Sequence, residues 1–213
     1  MACRAICISR ATGAHGVVVG QEVAERLGFQ YVDEEVISEA AEWADLDPAF
    51  VADVERKKSF VDRLLGTAGE PGSAPHLPAS AAGTRTLPSD AELRQMITAA
   101  IASFLQRGSV VIVAHAASFA VGGGDVLRVL VTASAKTRAE RIMAERGLDG
   151  REAERAIKAS DAGRANYLKR FYGVDQELPT HYDVVVNTDV LTAADAANII
   201  AAAGLAIAQV SSL

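Results

Sequence analysis

Cysteine is scarce in this sequence, because only Cys3 and Cys7 occur among its 213 residues. The two lie four positions apart in an apolar, strand-like segment, and that spacing predicts that both side chains share one face of a strand. Neither a disulfide nor a zinc site follows from two cysteines in this arrangement. We therefore expect two buried, reduced thiols, as in proteins of a reducing compartment.

The sequence also lacks a surplus of positive charge and any apolar run of the roughly 20 residues that a membrane span needs. A formal net charge of −6 argues against nucleic-acid binding as the main task. The opening MACRAICISR is too short and too strand-like for a signal peptide. We expect a cytoplasmic protein of one domain, with neither a nucleic acid nor a membrane as its partner.

Strand-like and helix-like segments alternate along the chain. Residues 109–114 and 127–132 are continuous apolar runs, which are typical of strands covered on both faces of a parallel sheet. The segments between such runs carry apolar residues at helical spacing. The pattern predicts an α/β fold with a doubly wound parallel sheet, whose ligands bind beyond the carboxyl ends of the strands.

One segment, residues 66–88, interrupts this alternation. It holds four of the six prolines and lacks periodic apolar residues. A loop of this length is uncommon inside a compact domain unless it is functional or disordered. We predict a loop that is at least partly mobile.

The opening of the chain reads as a buried strand (residues 5–9), a glycine-containing turn (residues 10–16) and a helix that Gly28 ends. The free N–H groups of the first helical turn and the helix dipole both favour an anion at such a turn. This order of elements therefore predicts a phosphate-binding architecture.

The side chains of this turn depart from the P-loop pattern G-x-x-x-x-G-K-[ST]. In the frame set by Gly16, Ala11 stands at the opening glycine, Val17 at the lysine and Val18 at the hydroxyl residue. The turn thus lacks both the cation for the phosphates and the hydroxyl for Mg²⁺.

Two stretches resemble the cytidylate kinase-like family, P-loop relatives of the nucleoside monophosphate kinases. The first is ISRATGAHGVVVGQEVAERLGFQYVDEEVISEAAE, against a usual pattern of about I-S-R-x-x-G-S-G-G-R-E-I-G-x-x-L-A-E-x-L-G-x-x-Y-x-D. The second, ERIMAERGLDGREAERAIKASDAGRANYLKRFYGVD followed by YDVVVNTDVLTAADAANII, agrees more closely. The resemblance implies one domain over residues 1–213, with five strands, the first in the centre and the third beside it.

The same resemblance implies a phosphotransferase that uses ATP and Mg²⁺ and a nucleoside monophosphate such as CMP. Residues 66–88 would belong to the flap that receives the monophosphate, and a helix over about residues 150–173 would form the lid. Whether the protein forms a homodimer stays open. The implied contacts are lid cations (Arg164, Lys169 and Arg170), phosphate-binding residues of the turn (Gly13, Ala14, His15, Gly16 and Val17), and nucleotide contacts (Asp33, His115, Arg141, Asn187 and Thr188).

Two departures from the family pattern leave an alternative open. Val17 replaces the family's Arg or Lys, and Ala114-His115-Ala116 stands where the third strand usually ends in G-R-G. Both departures are compatible with a kinase-derived protein that does not transfer phosphate. Such a protein would bind a nucleotide or another small anion, or act through partners. For single residues, Arg164 can instead pair with Asp161 at i, i+3, and Asp33 can cap a helix.

His15 and His115 both stand where phosphate-binding residues are expected. With Asp33 they can form a transition-metal site or, when protonated, an anion clamp that replaces the lost arginines. Nothing in their spacing requires either arrangement, and we predict no metal site.

Overall fold

The computed structural model describes residues 3–33, 90–114, 117–120, 123 and 125–210. The strands are β1 (Ala5–Arg10), β2 (Gln30–Val32), β3 (Val110–Val113), β4 (Val126–Thr132) and β5 (Val184–Asn187). The helices are α1 (Gly16–Leu27), α2 (Asp90–Arg107), α3 (Ala117–Ala120), α4 (Ala135–Arg146), α5 (Gly150–Tyr172) and α6 (Ala193–Val210), with a 3₁₀ turn at Pro179–His181. The predicted loop at residues 66–88 and His115 both lie outside the described residues.

The described strands form one parallel sheet in the order β2-β3-β1-β4-β5. β1 pairs with β3 from Ala5 opposite Val110, and with β4 from Ala5 opposite Val126. The predicted doubly wound fold, with the first strand in the centre and the third beside it, is confirmed. All strands run the same way, so their carboxyl ends meet at one edge, where the turn after β1 lies.

The apolar runs are explained by burial on both faces of the sheet. Ile6 and Ile8 of β1 pack into one cluster with α1 and α6, while Ala5 and Cys7 pack into another with α2. All four are fully buried. Each isoleucine contributes about 1.5–3 kcal/mol by leaving water, which fixes the register of the central strand.

Both cysteines are free and buried, but the prediction that they share one face of a strand is wrong. Cys3 precedes the first residue of β1 and packs on the α1 side, whereas Cys7 faces α2. The alternation of the strand does not extend to Cys3, which lies before the first residue of β1. Burial raises the pKa of the Cys7 thiol to about 12.

The helix predicted near residues 150–173 is α5, a continuous helix of 23 residues. Asp149 accepts a hydrogen bond from the Glu152 N–H and Glu152 accepts one from the Asp149 N–H, so a capping box begins the helix. Gly173 ends it in the left-handed conformation. None of the described helices combines the length and apolar character required to cross a membrane.

Candidate functional site

The β1–α1 turn, residues 11–15, is closed by two residues with positive φ. Gly13 has φ 79°, and His15 has φ 61°, the only positive φ outside glycine in the described part of the chain. The Ala14 N–H donates to the Ala11 oxygen at 3.1 Å, and the first bond of α1 runs from the Val19 N–H to the His15 oxygen. These two residues, in the left-handed backbone conformation, turn the chain so that α1 begins directly after β1.

Side chains from later parts of the chain hold the carbonyl oxygens of this region. An arginine of α4 or α5, or a threonine after β5, lies at each of four oxygens. The contacts are Arg164 to the Arg10 oxygen (3.3 Å), Arg138 to the Thr12 oxygen (3.4 Å), Arg141 to the Gly13 oxygen (3.2 Å) and the Thr188 hydroxyl to the Ala14 oxygen (3.1 Å). The turn is therefore held from the side of the carbonyl groups.

The N–H groups of the turn consequently face the opposite way. In a planar trans peptide the C=O and N–H point in opposite directions, so the outward oxygens of Thr12 and Ala14 turn the N–H groups of Gly13 and His15 away from those side chains. The N–H groups of Gly16, Val17 and Val18 precede the first bond of α1 and have no helical acceptor. These five donors give an anion a set of partners at the positive end of the helix dipole.

Two glycines of this region are in contact with backbone or side-chain stems that leave no room for a Cβ. A Cβ on Gly13 would lie 2.9 Å from the Arg138 oxygen, and one on Gly16 would lie 2.4 Å from the Cβ of Arg10. Gly13 thus allows α4 to pack on the turn, and Gly16 allows the Arg10 side chain to run past the first turn of α1.

Arg138 of α4 binds Asp161 of α5 through two parallel hydrogen bonds of 2.9 and 2.7 Å. Arg138 is 7% exposed, and its Nε has no hydrogen-bond partner in the described part of the protein. The alternative in which Asp161 pairs with Arg164 is wrong. A bidentate bond to a buried arginine on another helix prevails over a solvated pair of helix neighbours, which is worth only about 0.2–0.5 kcal/mol.

Arg164 is almost buried, with 9% of its side chain exposed. Its Nε donates to Glu177 at 2.8 Å, one terminal nitrogen donates to Glu177 and to the Tyr182 hydroxyl, and the other donates to the Arg10 oxygen. The Tyr182 hydroxyl also donates to Glu177. Every nitrogen of Arg164 therefore has an acceptor within the protein.

Burial and the neighbouring charges shift the pKa values of the ionisable groups in this cluster. Burial raises the pKa of Glu177, but the hydrogen bonds and charge of Arg164 outweigh this and leave its pKa below the ordinary value. Burial also raises the pKa of Tyr182, and the neighbouring Glu177 carboxylate raises it further, against the opposing charge of Arg164. Near neutral pH the cluster holds a carboxylate, a guanidinium and a neutral phenol.

Arg141 and Thr188 join the β1–α1 turn to the loop after β5. Arg141 donates to the Thr188 oxygen at 2.6 Å and to its hydroxyl at 3.0 Å. Thr188 is 1% exposed, and its N–H donates to the Thr132 oxygen at the end of β4. Asn187 is exposed, and its side chain accepts a bond from the Asp189 N–H. The structure thus brings Arg141 and Thr188 to the turn.

The two other lid cations lie further along α5 and are exposed. Lys169 pairs with Asp175 at 2.9 Å, and the guanidinium of Arg170 lies 5.1 Å from the ring centre of Phe171. Of the three predicted lid cations, Arg164 is the one that contacts the strand leading into the turn.

Residues 5–190 match the model of the cytidylate kinase-like family. The chain belongs to the cytidylate kinase-like family. The match covers the β1–α1 turn, all five strands and the whole of α5, so every described part of the site lies within the family domain.

A solved structure shares the fold. An uncharacterized protein from Eubacterium ventriosum ATCC 27560 matches with a TM-score of 0.63 at 17% identity, over 93% of this chain and 96% of that chain. Shikimate kinase from Acinetobacter baumannii in complex with shikimate (TM-score 0.46, 12% identity, 92% and 90% coverage) and dephospho-CoA kinase from Campylobacter jejuni (0.43, 11%, 98% and 98%) are more distant. No curated protein sequence shows significant similarity to the chain.

Within this cytidylate kinase-like domain, the remaining predicted residues lie in the turn, in the first turn of α1 or just after β2. His15 lies in the turn, 3.7 Å from Glu145. Val17 is half-buried against the core, while Val18 is 45% exposed. Asp33 follows β2 and accepts a bond from the Tyr31 hydroxyl. His115 lies outside the described residues, as does the helix that Asp33 was expected to cap.

The described residues fit a phosphate better than a protein-bound magnesium ion. N–H groups that lack an acceptor among the described residues, beside the close-packed Gly13 and Gly16, suit a phosphate. Val18 carries no oxygen where a P-loop has its hydroxyl, and the Thr12 hydroxyl is bonded to Ser160 at 2.6 Å. Among the described residues no three His, Cys, Asp or Glu side chains form a ligand set. Any magnesium at this turn would have to be held by the nucleotide and water.

Several residues that build the site were not singled out by their sequence. Arg138, Glu177, Tyr182 and Arg10 were not among the predicted site residues. The available signal for Arg10 was an arginine at the end of an apolar strand, immediately before a glycine-containing turn. No local signal marks Glu177, because its partner lies 13 residues away on α5.

Proposed function

We propose that the protein binds ATP at the β1–α1 turn and transfers its terminal phosphate to a nucleoside monophosphate such as CMP. The observation that carries the proposal is the set of N–H groups at the turn and the first turn of α1, in a domain of the cytidylate kinase-like family. Phosphoryl transfer needs positioning and positive charge rather than covalent help from the protein. Such a turn supplies the positioning.

The protein's own residues have distinct tasks in this proposal. Arg138, Arg141 and Thr188 hold the turn by its oxygens, so its N–H groups are oriented before a ligand arrives. Preorganised donors of this kind stabilise developing charge without reorganising during the reaction. Arg164 links α5 to the end of β1, so a movement of α5 would shift the backbone that leads into the turn.

The remaining parts of the proposal follow the family. Residues 1–213 form one domain, in which residues 66–88 belong to the flap for the monophosphate and α5 acts as the lid. ATP would arrive as its magnesium complex. Asn187, Thr188 and Arg141 would lie near the base, and Lys169 and Arg170 would meet the phosphates only if α5 moves.

Binding and turnover are tested separately. We expect ATP, GTP or CTP with Mg²⁺ to raise the melting temperature, since a ligand at about 100 times its Kd adds about 2.7 kcal/mol. A coupled assay over the common nucleoside monophosphates then measures transfer. A shift without turnover would favour the kinase-derived binding protein, and the absence of any shift would contradict nucleotide binding itself.

A substitution tests whether the turn works as a P-loop. Val17→Lys restores the missing cation and is expected to tighten ATP binding by about tenfold, the value of one charge-assisted hydrogen bond. Val18→Lys adds the same charge one residue further along at an exposed position. Equal effects of the two lysines would mean that only net charge matters, and no gain from Val17→Lys would mean that the turn has another geometry.

A further inference from the structure

We propose that Arg10 supplies the cation that the P-loop position Val17 lacks, by binding the polyphosphate chain of the nucleotide over the first turn of α1. This inference rests on the proposed function and names the residue and the ligand chemistry at the same turn. Four arginines contact the region, and their hydrogen bonds divide them into two groups.

The first group holds the protein together. Arg138 is neutralised by Asp161, and Arg164 is neutralised by Glu177. Arg141 faces no carboxylate of the described residues, but its terminal nitrogens donate to Gly13 and Thr188. Moving any of these guanidinium groups to a ligand would release a carbonyl oxygen of the turn or break an ion pair. They are therefore positioning residues rather than ligands of the phosphate.

Arg10 differs in both position and pairing. It is the last residue of β1, and its backbone oxygen accepts the bond from Arg164. Its half-buried side chain forms neither a hydrogen bond nor an ion pair within the described residues. A guanidinium has five N–H donors and stays charged at any ordinary pH. Within the part of the chain that the structure describes, all five donors of Arg10 are therefore available for a ligand.

The path of the side chain leads to the amino end of α1. The Cβ, Cγ and Cδ of Arg10 would lie 2.4, 3.2 and 2.9 Å from a Cβ on Gly16. Gly16 is the first residue of α1 and directly precedes Val17. The stem of Arg10 thus passes beside the helical turn whose N–H groups are free. The guanidinium of Arg10, which extends from the end of β1, can therefore bind the same phosphates that a lysine at position 17 of α1 would bind.

The test measures the affinity of inorganic tripolyphosphate, MgATP and CMP by calorimetry for the whole chain. Arg10→Gln is expected to weaken tripolyphosphate and MgATP at least tenfold and to leave CMP within twofold. Arg10→Lys, which keeps the charge, should lose less than Arg10→Gln. The double variant Arg10→Gln with Val17→Lys should recover most of the loss, because the lysine restores the cation from the other side.

Arg4→Gln is the matched control. Arg4 lies just before the opposite end of β1, six residues or roughly 20 Å away, and it is exposed. It carries the same charge, and within the described residues its side chain makes one hydrogen bond, to the Leu105 oxygen. That distance exceeds the screening length of about 10 Å, so its loss should leave all three affinities within twofold. A tenfold loss there would show a general charge effect and overturn the proposal.

The outcomes separate this inference from the proposed function. If the wild type binds MgATP and Arg10→Gln binds it equally well, the role of Arg10 is wrong and the function stands. A loss confined to CMP would also overturn it, because Arg10 would then serve the acceptor. If the wild type binds neither MgATP nor tripolyphosphate, both proposals fail. Melting temperatures of Arg10→Gln and Arg10→Lys verify folding.

Discussion

Replacing Glu177 by glutamine should reveal how far the turn depends on the Arg164 cluster. The change keeps the shape of the side chain but removes the charge that faces Arg164. Arg164 then holds a positive charge with 9% of its side chain exposed and only the Tyr182 hydroxyl, the Arg10 oxygen and an amide as partners. The guanidinium cannot lose its proton to escape this cost.

The expected loss of stability follows from the burial of the pair. Leaving one member of a buried ion pair without its partner costs about 3–5 kcal/mol. Glu177 is 23% exposed, so water screens the pair in part and we expect a value near 3 kcal/mol. For a chain of this size that loss lowers the melting temperature by about 6–12 °C. Urea unfolding of both proteins at neutral pH measures the difference.

The pH dependence supplies an independent check. The folded protein holds the pKa of Glu177 below its ordinary value of 4.5. The stabilisation is therefore complete above about pH 4.5 and is lost as the pH falls through the folded pKa. The difference between wild type and Glu177→Gln should shrink on acidification. A difference that is equal at about pH 7 and about pH 3.5 would refute the reasoning, as would one below about 0.5 kcal/mol at pH 7.

The exposed pair of Lys169 and Asp175 provides the control. Their nitrogen and oxygen lie 2.9 Å apart, a distance similar to that in the Arg164 pair. The side chains are 69% and 79% exposed, so water and ions screen the attraction. Asp175→Asn should leave the urea midpoint unchanged. A loss equal to that of Glu177→Gln would show that burial is not the cause.

Three further predictions concern the turn and the core. Gly13→Ala should cost about 2–4 kcal/mol in urea unfolding, because it combines a positive φ with a Cβ 2.9 Å from the Arg138 oxygen. Gly28 has a similar φ, but a Cβ there would meet open space, so Gly28→Ala should cost about 1 kcal/mol. Equal losses of stability in the two variants would contradict the packing argument. Thr188→Val should cost about 1–3 kcal/mol by leaving buried partners unbonded, and a loss within error would show that these bonds are dispensable. Cys7, with a pKa of about 12, should react with a thiol reagent only on unfolding, and rapid reaction of the native protein would refute this.

The sheet could be predicted because its physical cause is local. Continuous apolar runs such as β3 are selected by burial on both faces, and that burial fixes strand positions wherever the pattern is strong. The ends of elements were less accurate: β1 runs one residue beyond the predicted strand, to Arg10. That residue carries no apolar side chain, so only its pairing with Val131 of the neighbouring strand extends the strand.

The arginine contacts could not be predicted, because their partners are set by tertiary packing. Arg138 and Arg141 lie three residues apart on one helix, and the sequence offers no reason for one to take Asp161 and the other Thr188. The local rule favoured a pair between Asp161 and Arg164. That rule describes a solvated helix and fails where a second helix brings a buried guanidinium within 2.7 Å.

The loss of the P-loop cation removes only one of two properties of such a loop. A lysine supplies charge, whereas the orientation of the N–H groups depends on what holds the carbonyl oxygens behind them. Here the orientation is maintained by three arginines and Thr188, and two of those arginines are neutralised by carboxylates. They can stabilise the turn without a ligand. Since a preorganised turn needs no reorganisation when an anion arrives, we expect the guanidinium of Arg10 alone to supply the charge that the P-loop position lacks.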